Sequence, residues 1–361
     1  MRRRDFTKLA LAGTVGTVAA PAVVRAQTTF NWKMTSSYGP NAAFYSTGPG
    51  SAKDLISRIE AMSNGRIKIQ FYGAGELIPA AEGFDAVSSG TVEMNYANAY
   101  FWTGKVFAGQ YFTAVPFGLN FQGLNGWMYD GGGLALWREV YDRFNLVPFL
   151  CGNTGVQMTG WFKKPIEKLE DFRGQKMRIP GLAGRVYQSL GVDVRLLPPG
   201  EIFPALERGV IDAAEFVGPF LDRQIGLHRA AKYYYTTGWH ETATSSELII
   251  NKAKWTSLPA DLKAIVENAC AACNVISEAW CQKNNADNGR PDQSGRYCAT
   301  ITGRSGRSAA QREYKNTRRG RSERPCDQEG PRVLHGLHGE IQSVVGLQRV
   351  RLSRQDSQRL T

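Results

Sequence analysis

Histidine is scarce in this chain. There are four in 361 residues, and only His228 and His240 lie between residues 27 and 287. Two isolated imidazoles give no metal dyad by spacing, and no Gly-x-Ser-x-Gly turn presents a nucleophile elbow. Gly131-Gly132-Gly133 lacks the strand-to-helix setting and spacing of a phosphate loop, so it reads as a turn. Past the first two dozen residues, no run approaches the ~18 apolar residues of a membrane span. These absences weigh against a metal-dyad or serine hydrolase and against an integral membrane protein.

Cysteine and charge are also less informative than their totals. Of six cysteines, Cys270 and Cys273 have the spacing of a redox or zinc motif. They sit in a helical stretch with no helix N-terminus or nearby histidine to activate them, and read as small buried helix residues. The formal net charge of +12 belongs to the ends. Residues 1–26 hold five Lys/Arg and one Asp, residues 288–361 hold fifteen Lys/Arg and seven Asp/Glu, and residues 27–287 hold 24 of each sign. A neutral body disfavours a nucleic-acid-binding protein.

What is present begins with an export signal. Arg2-Arg3-Arg4-Asp5-Phe6-Thr7-Lys8 fits a twin-arginine start, Leu9 to Val24 is apolar and small, and Val24-Arg25-Ala26 offers a cleavage site. Residues 1–26 are therefore expected to be removed. No Cys follows the cleavage site, so a lipid anchor is not expected, and the mature chain is expected in the periplasm.

The body alternates strand and helix. Phe30 to Thr35 reads as a strand ending in the loop Ser36-Ser37-Tyr38-Gly39-Pro40. Ser51 to Ser63 reads as a helix with Leu55, Ile56, Ile59 and Met62 on one face. Arg66 to Tyr72, Val92 to Tyr96 and Leu146 to Cys151 read as strands, and Pro79 to Ser89 and Leu134 to Phe144 as helices. Gly152 to Gly155 marks a crossing into a second lobe. There Lys176 to Ile179, Val192 to Leu197 and Val210 to Val217 read as strands, between helices Leu182 to Leu190 and Ile202 to Arg208. Glu247 to Ile250 reads as a strand returning to the first lobe, and Ser257 as the N-cap of a long helix reaching about residue 284. This order predicts an α/β fold of two lobes: residues 27–152 with 243–255, residues 153–242, and a spanning helix over 256–287.

Two residues point to a site. Arg178 ends a short strand before a Pro-Gly turn, where open α/β folds place ligands. Glu215 lies in the apolar run Ile211 to Val217, and a buried carboxylate needs a partner or a metal. Arg208 and Arg223 are candidate partners for it. In Tyr96-Ala97-Asn98-Ala99-Tyr100-Phe101-Trp102, the polar and aromatic tips at a strand end either line a cleft or are ordinary core.

Four ordered blocks carry a family resemblance. They are Gln157-Met158-Thr159-Gly160-Trp161-Phe162, Met177-Arg178-Ile179-Pro180-Gly181-Leu182-Ala183-Gly184, Pro204-Ala205-Leu206-Glu207-Arg208-Gly209 with Ile211-Asp212-Ala213-Ala214-Glu215, and Gly238-Trp239-His240-Glu241. Over about residues 1–287 the chain resembles the periplasmic substrate-binding subunit of tripartite ATP-independent (TRAP) transporters, in the branch that binds 2-oxo acids and related monocarboxylates. The resemblance implies a two-lobed periplasmic binding protein fold with a long helix spanning both lobes, a cleft ligand, and delivery to TRAP membrane permease subunits. It also implies that Arg178 pairs with the ligand carboxylate, Gln157 contacts ligand and cation, and Glu215, the Phe216 main-chain carbonyl and Glu241 complete the cation site. Asn98, Tyr100 and Phe216 would line the pocket. The ion is expected to be Na+ or Ca2+, since the implied ligands are all oxygen, and Arg178 and Glu215 are expected to face each other across a hinge. This branch usually has Trp where Phe216 stands, which puts ligand preference in question. A small organic acid is the expected ligand and nucleic acid is not; a homodimer is left open. A binding protein of an ATP-driven importer shares the architecture, and a metal-dependent enzyme acting on organic acids is the other class weighed.

The tail departs from the family. Residues 288–361 hold fourteen arginines and no lasting apolar period, where the family would add aromatic helix. One expectation is a basic, low-order arm. The other is a frameshift: with permitted codons, Val333 to Gln355 read one base later spells an amphipathic run rich in Tyr and Trp. The nucleotide sequence decides between them.

Overall fold

A computed structural model describes residues 28–236 and 238–288. The expected export signal and the basic or frameshifted tail lie outside the described residues, apart from Asn288. Among those residues no helix is long and apolar enough to cross a membrane.

The first half of the chain builds one five-stranded sheet. In order, β1 (Phe30–Ser36), α1 (Ala52–Met62), β2 (Ile67–Tyr72), α2 (Gly83–Ser88), β3 (Met94–Ala97), α3 (Phe121–Tyr129), α4 (Gly133–Asp142) and β4 (Leu146–Asn153) follow one another. β1 alternates, burying Trp32 and Met34. α1 starts where the Ser51 side chain accepts the Asp54 N–H, and buries Leu55, Ile56 and Ile59. Met62, expected on that face, is 49% exposed because the helix ends there.

The second sheet follows with β5 (Gly160–Phe162), β6 (Lys176–Arg178), α5 (Gly181–Ser189), β7 (Asp193–Arg195), α6 (Pro199–Arg208), β8 (Ala213–Ala214), α7 (Pro219–Gln224), α8 (Leu227–Ala230) and β9 (Tyr233–Tyr235). The chain then returns as β10 (Ser245–Asn251), α9 (Lys252–Ser257) and α10 (Ala260–Asn288). The sheet orders are β2-β1-β3-β10-β4 and β7-β6-β8-β5-β9. Each is parallel at its start, and each contains one strand antiparallel to both its neighbours: β10 between β3 and β4, β5 between β8 and β9. The molecule is thus a two-lobed α/β fold.

Two local expectations are corrected. Ser257 does not cap the long helix. It closes α9, donating its hydroxyl to the Lys254 carbonyl, and the first turn of α10 uses the Pro259 carbonyl instead. The strand expected over Val210 to Val217 keeps only Ala213–Ala214 in the ladder. Beyond it the Glu215 carbonyl accepts from the Arg178 guanidinium rather than from a neighbouring strand.

α10, about 43 Å long at 1.5 Å per residue, ties the lobes. Its Ser277 hydroxyl accepts the Asn153 N–H of β4, Trp280 packs edge-on to Phe220 of α7, and its Asn285 accepts the Phe220 N–H. Gly50 lets this helix approach: at φ +76°, a Cβ there would stand 2.6 Å from the Ser277 nitrogen. Cys270 and Cys273 are buried on α10, as is Cys151 on β4, and all three are free thiols.

Candidate functional site

The site forms where the two crossing segments and the second sheet meet. The Gln157 N–H donates to the Glu241 carbonyl at 3.0 Å, and the Thr154 N–H to the Thr244 carbonyl. These bonds lay the outgoing and returning chains side by side, and so bring Gln157 next to Glu241. Glu215 and Phe216 are held from both ends. Ahead of them Ala213–Ala214 is paired in the sheet. Behind them, the Asp222 carboxylate accepts the Val217 and Gly218 N–H groups at 3.0 Å, and Trp161 donates its indole N–H to the same carboxylate.

Arg178 and Glu215 are neighbours. The Glu215 N–H donates to the Arg178 carbonyl. Arg178 Nη1 in turn donates to the Glu215 carbonyl at 2.7 Å and to Glu215 Oε2 at 3.3 Å, and Nε donates to the Leu197 carbonyl at 3.4 Å. Both side chains are buried, 1% and 0% exposed. The expectation that they oppose each other across a hinge is corrected: they come from adjacent strands of the second sheet. Glu215's buried partner is Arg178 and neither Arg208 nor Arg223.

Around this pair stand polar atoms with nowhere to bond. Glu215 Oε1, Gln157 Oε1 and both ring nitrogens of His240 are buried without a hydrogen-bond partner. Gln157 Nε2 donates to Thr154 Oγ1 at 3.1 Å, which turns its carbonyl oxygen the other way. Glu241 Oε2 accepts from the Thr244 hydroxyl at 2.5 Å. His240 Nε2 is 3.5 Å from Glu215 Oε1. Glu215, His240 and Glu241 each place one ligand atom within 4.8 Å of the others. Orphaned buried oxygens are costly unless something fills them. Glu215 and Glu241 give this cluster two carboxylates, oxygen donors of the kind a hard cation takes. His240 is a nitrogen neighbour that the oxygen-only expectation did not include.

The electrostatics follow from burial. Burial pushes Glu215 well above the ordinary carboxylate range, while Arg178 pulls it back down. Glu241 is pushed up to about 7, by burial first and by the Glu215 charge second. His240 is brought down to about 4 by burial and is neutral at neutral pH. Two carboxylates this close resist joint ionisation until a positive charge sits between them.

The first lobe supplies an aromatic wall. Tyr38 and Tyr45 stack with ring centroids 3.6 Å apart. Tyr38 donates to Asn98 Oδ1, and Asn98 Nδ2 donates to the Ser245 carbonyl at 2.6 Å. Asn98 is therefore engaged inside its own lobe, with Tyr38 and with β10. Tyr45 is 6.1 Å from the Phe216 ring of the other lobe. Tyr100 faces Gly181, where a Cβ would stand 3.5 Å from the tyrosine ring. Arg178, Glu215, Gln157, Glu241, Phe216 and Tyr100 are all buried. Sequence reasoning passed over Tyr38, Tyr45 and His240 as site residues. The usable signal for Tyr38 was its position in the loop just past the C-terminal end of β1.

Comparison with known proteins follows the same lines. The sequence model of the family described as bacterial extracellular solute-binding protein, family 7, matches residues 42–289. The chain is 41% identical over 283 residues to the monocarboxylate 2-oxoacid-binding periplasmic protein of Nostoc sp. (strain PCC 7120), covering 76% of each chain. It is similar to the TRAP periplasmic solute binding protein from Pseudoalteromonas atlantica T6c, solved with bound sodium and pyruvate: TM-score 0.70, 39% identity, 72% of this chain and 78% of that one. It is also similar to the TRAP transporter solute binding protein from Bordetella bronchiseptica RB50, a mixed occupancy dimer with calcium and picolinate: TM-score 0.71, 38% identity, 75% of this chain and 80% of that one.

Proposed function

We propose a function from one premise: the chain belongs to the bacterial extracellular solute-binding proteins, family 7. It is a periplasmic receptor of a TRAP transporter. It captures a small 2-oxo acid or similar monocarboxylate together with Na+ or Ca2+ and hands it, chemically unchanged, to the membrane permease. The observation that supports this reading is the burial of Arg178, Glu215, Gln157 and Glu241, with Arg178 bonded to Glu215 and Gln157 to Glu241.

In this reading Arg178 receives the ligand carboxylate through charge-assisted hydrogen bonds. The Gln157 and Glu215 side-chain oxygens, the Phe216 main-chain carbonyl and Glu241 hold the cation, whose charge offsets the two buried carboxylates. Phe216, Tyr100 and, through Tyr38, Asn98 shape the pocket. Pyruvate and picolinate, found in two relatives, both carry an electron-pair donor beside a carboxylate, a pairing suited to chelating a cation. Closure of the lobes over the acid presents one surface to the permease, and opening releases the cargo. Export of the folded chain through its twin-arginine start and pairing of two copies complete the proposal.

The test is a thermal-shift screen of carboxylates, each in NaCl, in CaCl2 and in choline chloride with EDTA. The expected result is cation-dependent stabilisation by 2-oxo acids, at one ligand per chain and with the acid recovered unchanged. Turnover of the acid, or stabilisation by sugars and not by acids, would overturn the reading.

A further inference from the structure

We infer that Glu215 is a built-in competitor for the slot on Arg178 that a ligand carboxylate needs, and that a bound cation empties that slot by drawing Glu215 away. The inference rests on the carboxylate-receptor reading and adds to it an order of events and a coupling.

A guanidinium has three nitrogens, and the full two-bond fork to a carboxylate uses an adjacent pair of them. In Arg178, Nε is engaged with the Leu197 carbonyl and Nη1 with Glu215, through both its carbonyl and Oε2. Only Nη2 has no bond to the described residues. An incoming carboxylate therefore meets a fork with one tine taken, and taken by another carboxylate.

Glu215 is placed to leave. Its backbone is fixed by its own N–H bond to Arg178 and by its carbonyl bond to Nη1, so only the side chain needs to turn. Its other oxygen, Oε1, has no hydrogen bond and already faces the cluster with Glu241 and His240. Without a cation, the cluster gives Glu215 Oε1 no hydrogen bond, and Arg178 is the charged partner that holds its side chain. With a cation, both Glu215 oxygens gain a reason to turn to the cluster. The Nη1 hydrogen that Oε2 held is then free, beside Nη2, to form the fork with the ligand, while the Glu215 carbonyl keeps the other. Cation and acid thus tighten each other's binding by the same factor, as linkage requires. A cation that only bridged protein and ligand would also produce coupling, but it would not make Glu215 an obstacle in its absence.

Isothermal titration of pyruvate into the full chain separates these cases, using wild type, Glu215→Gln and Glu241→Gln, each in NaCl, in CaCl2 and in choline chloride with EDTA. Wild type is expected to bind about 10-fold tighter or more with a cation than without. Glu215→Gln is expected to bind pyruvate without cation about 10-fold tighter than wild type does without cation, with little further gain from salt. Glu241→Gln, which damages the cation site and leaves the competitor, is expected to bind weakly under all three conditions. Melting temperatures without ligand establish folding, and Glu215→Ala gives the same sign should the glutamine variant not fold. Cation-free binding by Glu215→Gln that is no tighter than wild type would overturn the inference and leave the receptor reading standing. Failure of wild type to bind any carboxylate from the screen in Na+ or Ca2+ would overturn both.

Discussion

Each lobe buries a glutamate beside its crossing strands, and the two are treated in opposite ways. In the first sheet, Glu247 on β10 is fully buried, and each of its oxygens has one neutral donor: the Trp102 indole at 2.5 Å and the Tyr141 hydroxyl at 3.0 Å. In the second lobe, Glu215 has a cation on one oxygen, Arg178, and no hydrogen bond on the other. The first carboxyl is completed by its own lobe and has nothing left to offer. The second is left partly unsatisfied next to other unsatisfied atoms. Burial alone does not mark a site; unfinished hydrogen bonding among buried groups does.

Experiments can break that contrast, and the largest effect is expected at the unfinished cluster. Arg178→Ala should lose carboxylate binding by about 1,000-fold or more, roughly 4–5 kcal/mol, with the unliganded fold retained by circular dichroism. Unchanged affinity in the titration would show that the pair is structural, like Glu247. Next comes Glu247→Ala, which strands the Trp102 and Tyr141 donors. It should cost about 4 kcal/mol of stability in urea unfolding while leaving ligand affinity as it was. A variant that keeps its stability and loses binding would reverse the assignment of the two glutamates.

The pH response sharpens the same comparison. Burial raises Glu247 from the 4.5 of a free glutamate to about 7. The folded state holds this proton while the unfolded chain releases it near 4.5. The contribution is therefore full below that pH and lost as the pH climbs to about 7. Between pH 4.5 and 7.5 the unfolding free energy of wild type should fall by on the order of 3 kcal/mol more than that of Glu247→Gln. Parallel curves would remove the buried proton from the account. The smallest effect belongs to the surface: Glu267→Gln breaks the exposed Arg138–Glu267 pair, 3.0 Å apart, and should change stability by less than about 1 kcal/mol. A larger loss would mean that charge pairs holding α10 count for more than their exposure suggests.

The sequence made some parts of this site legible and hid others. Arg178 was readable because a strand, a Pro-Gly turn and a helix follow one another in the chain. Glu215 was readable because a charge inside an apolar run is conspicuous. Their pairing was not readable. It depends on β6 and β8 becoming neighbours although Arg178 and Glu215 are 37 positions apart in sequence, and helix-end arginines such as Arg208 looked equally available. Tyr38 and Tyr45 were hidden for a related reason: aromatic loop residues are common, only the folded loop stacks these two, and only the approach of β1 to β3 aims Tyr38 at Asn98.

By itself the sequence determined the α/β alternation, the neutral body with basic ends, the family and the residue types at the candidate site, because periodicity, charge and local motif order are properties of neighbours along the chain. The tertiary structure alone decided which buried groups complete one another. Satisfying a carboxylate in low dielectric takes donors within about 3 Å, and only the folded chain sets those distances. It gave Glu247 two such donors, and it left Glu215 divided between an arginine and an unfinished cluster.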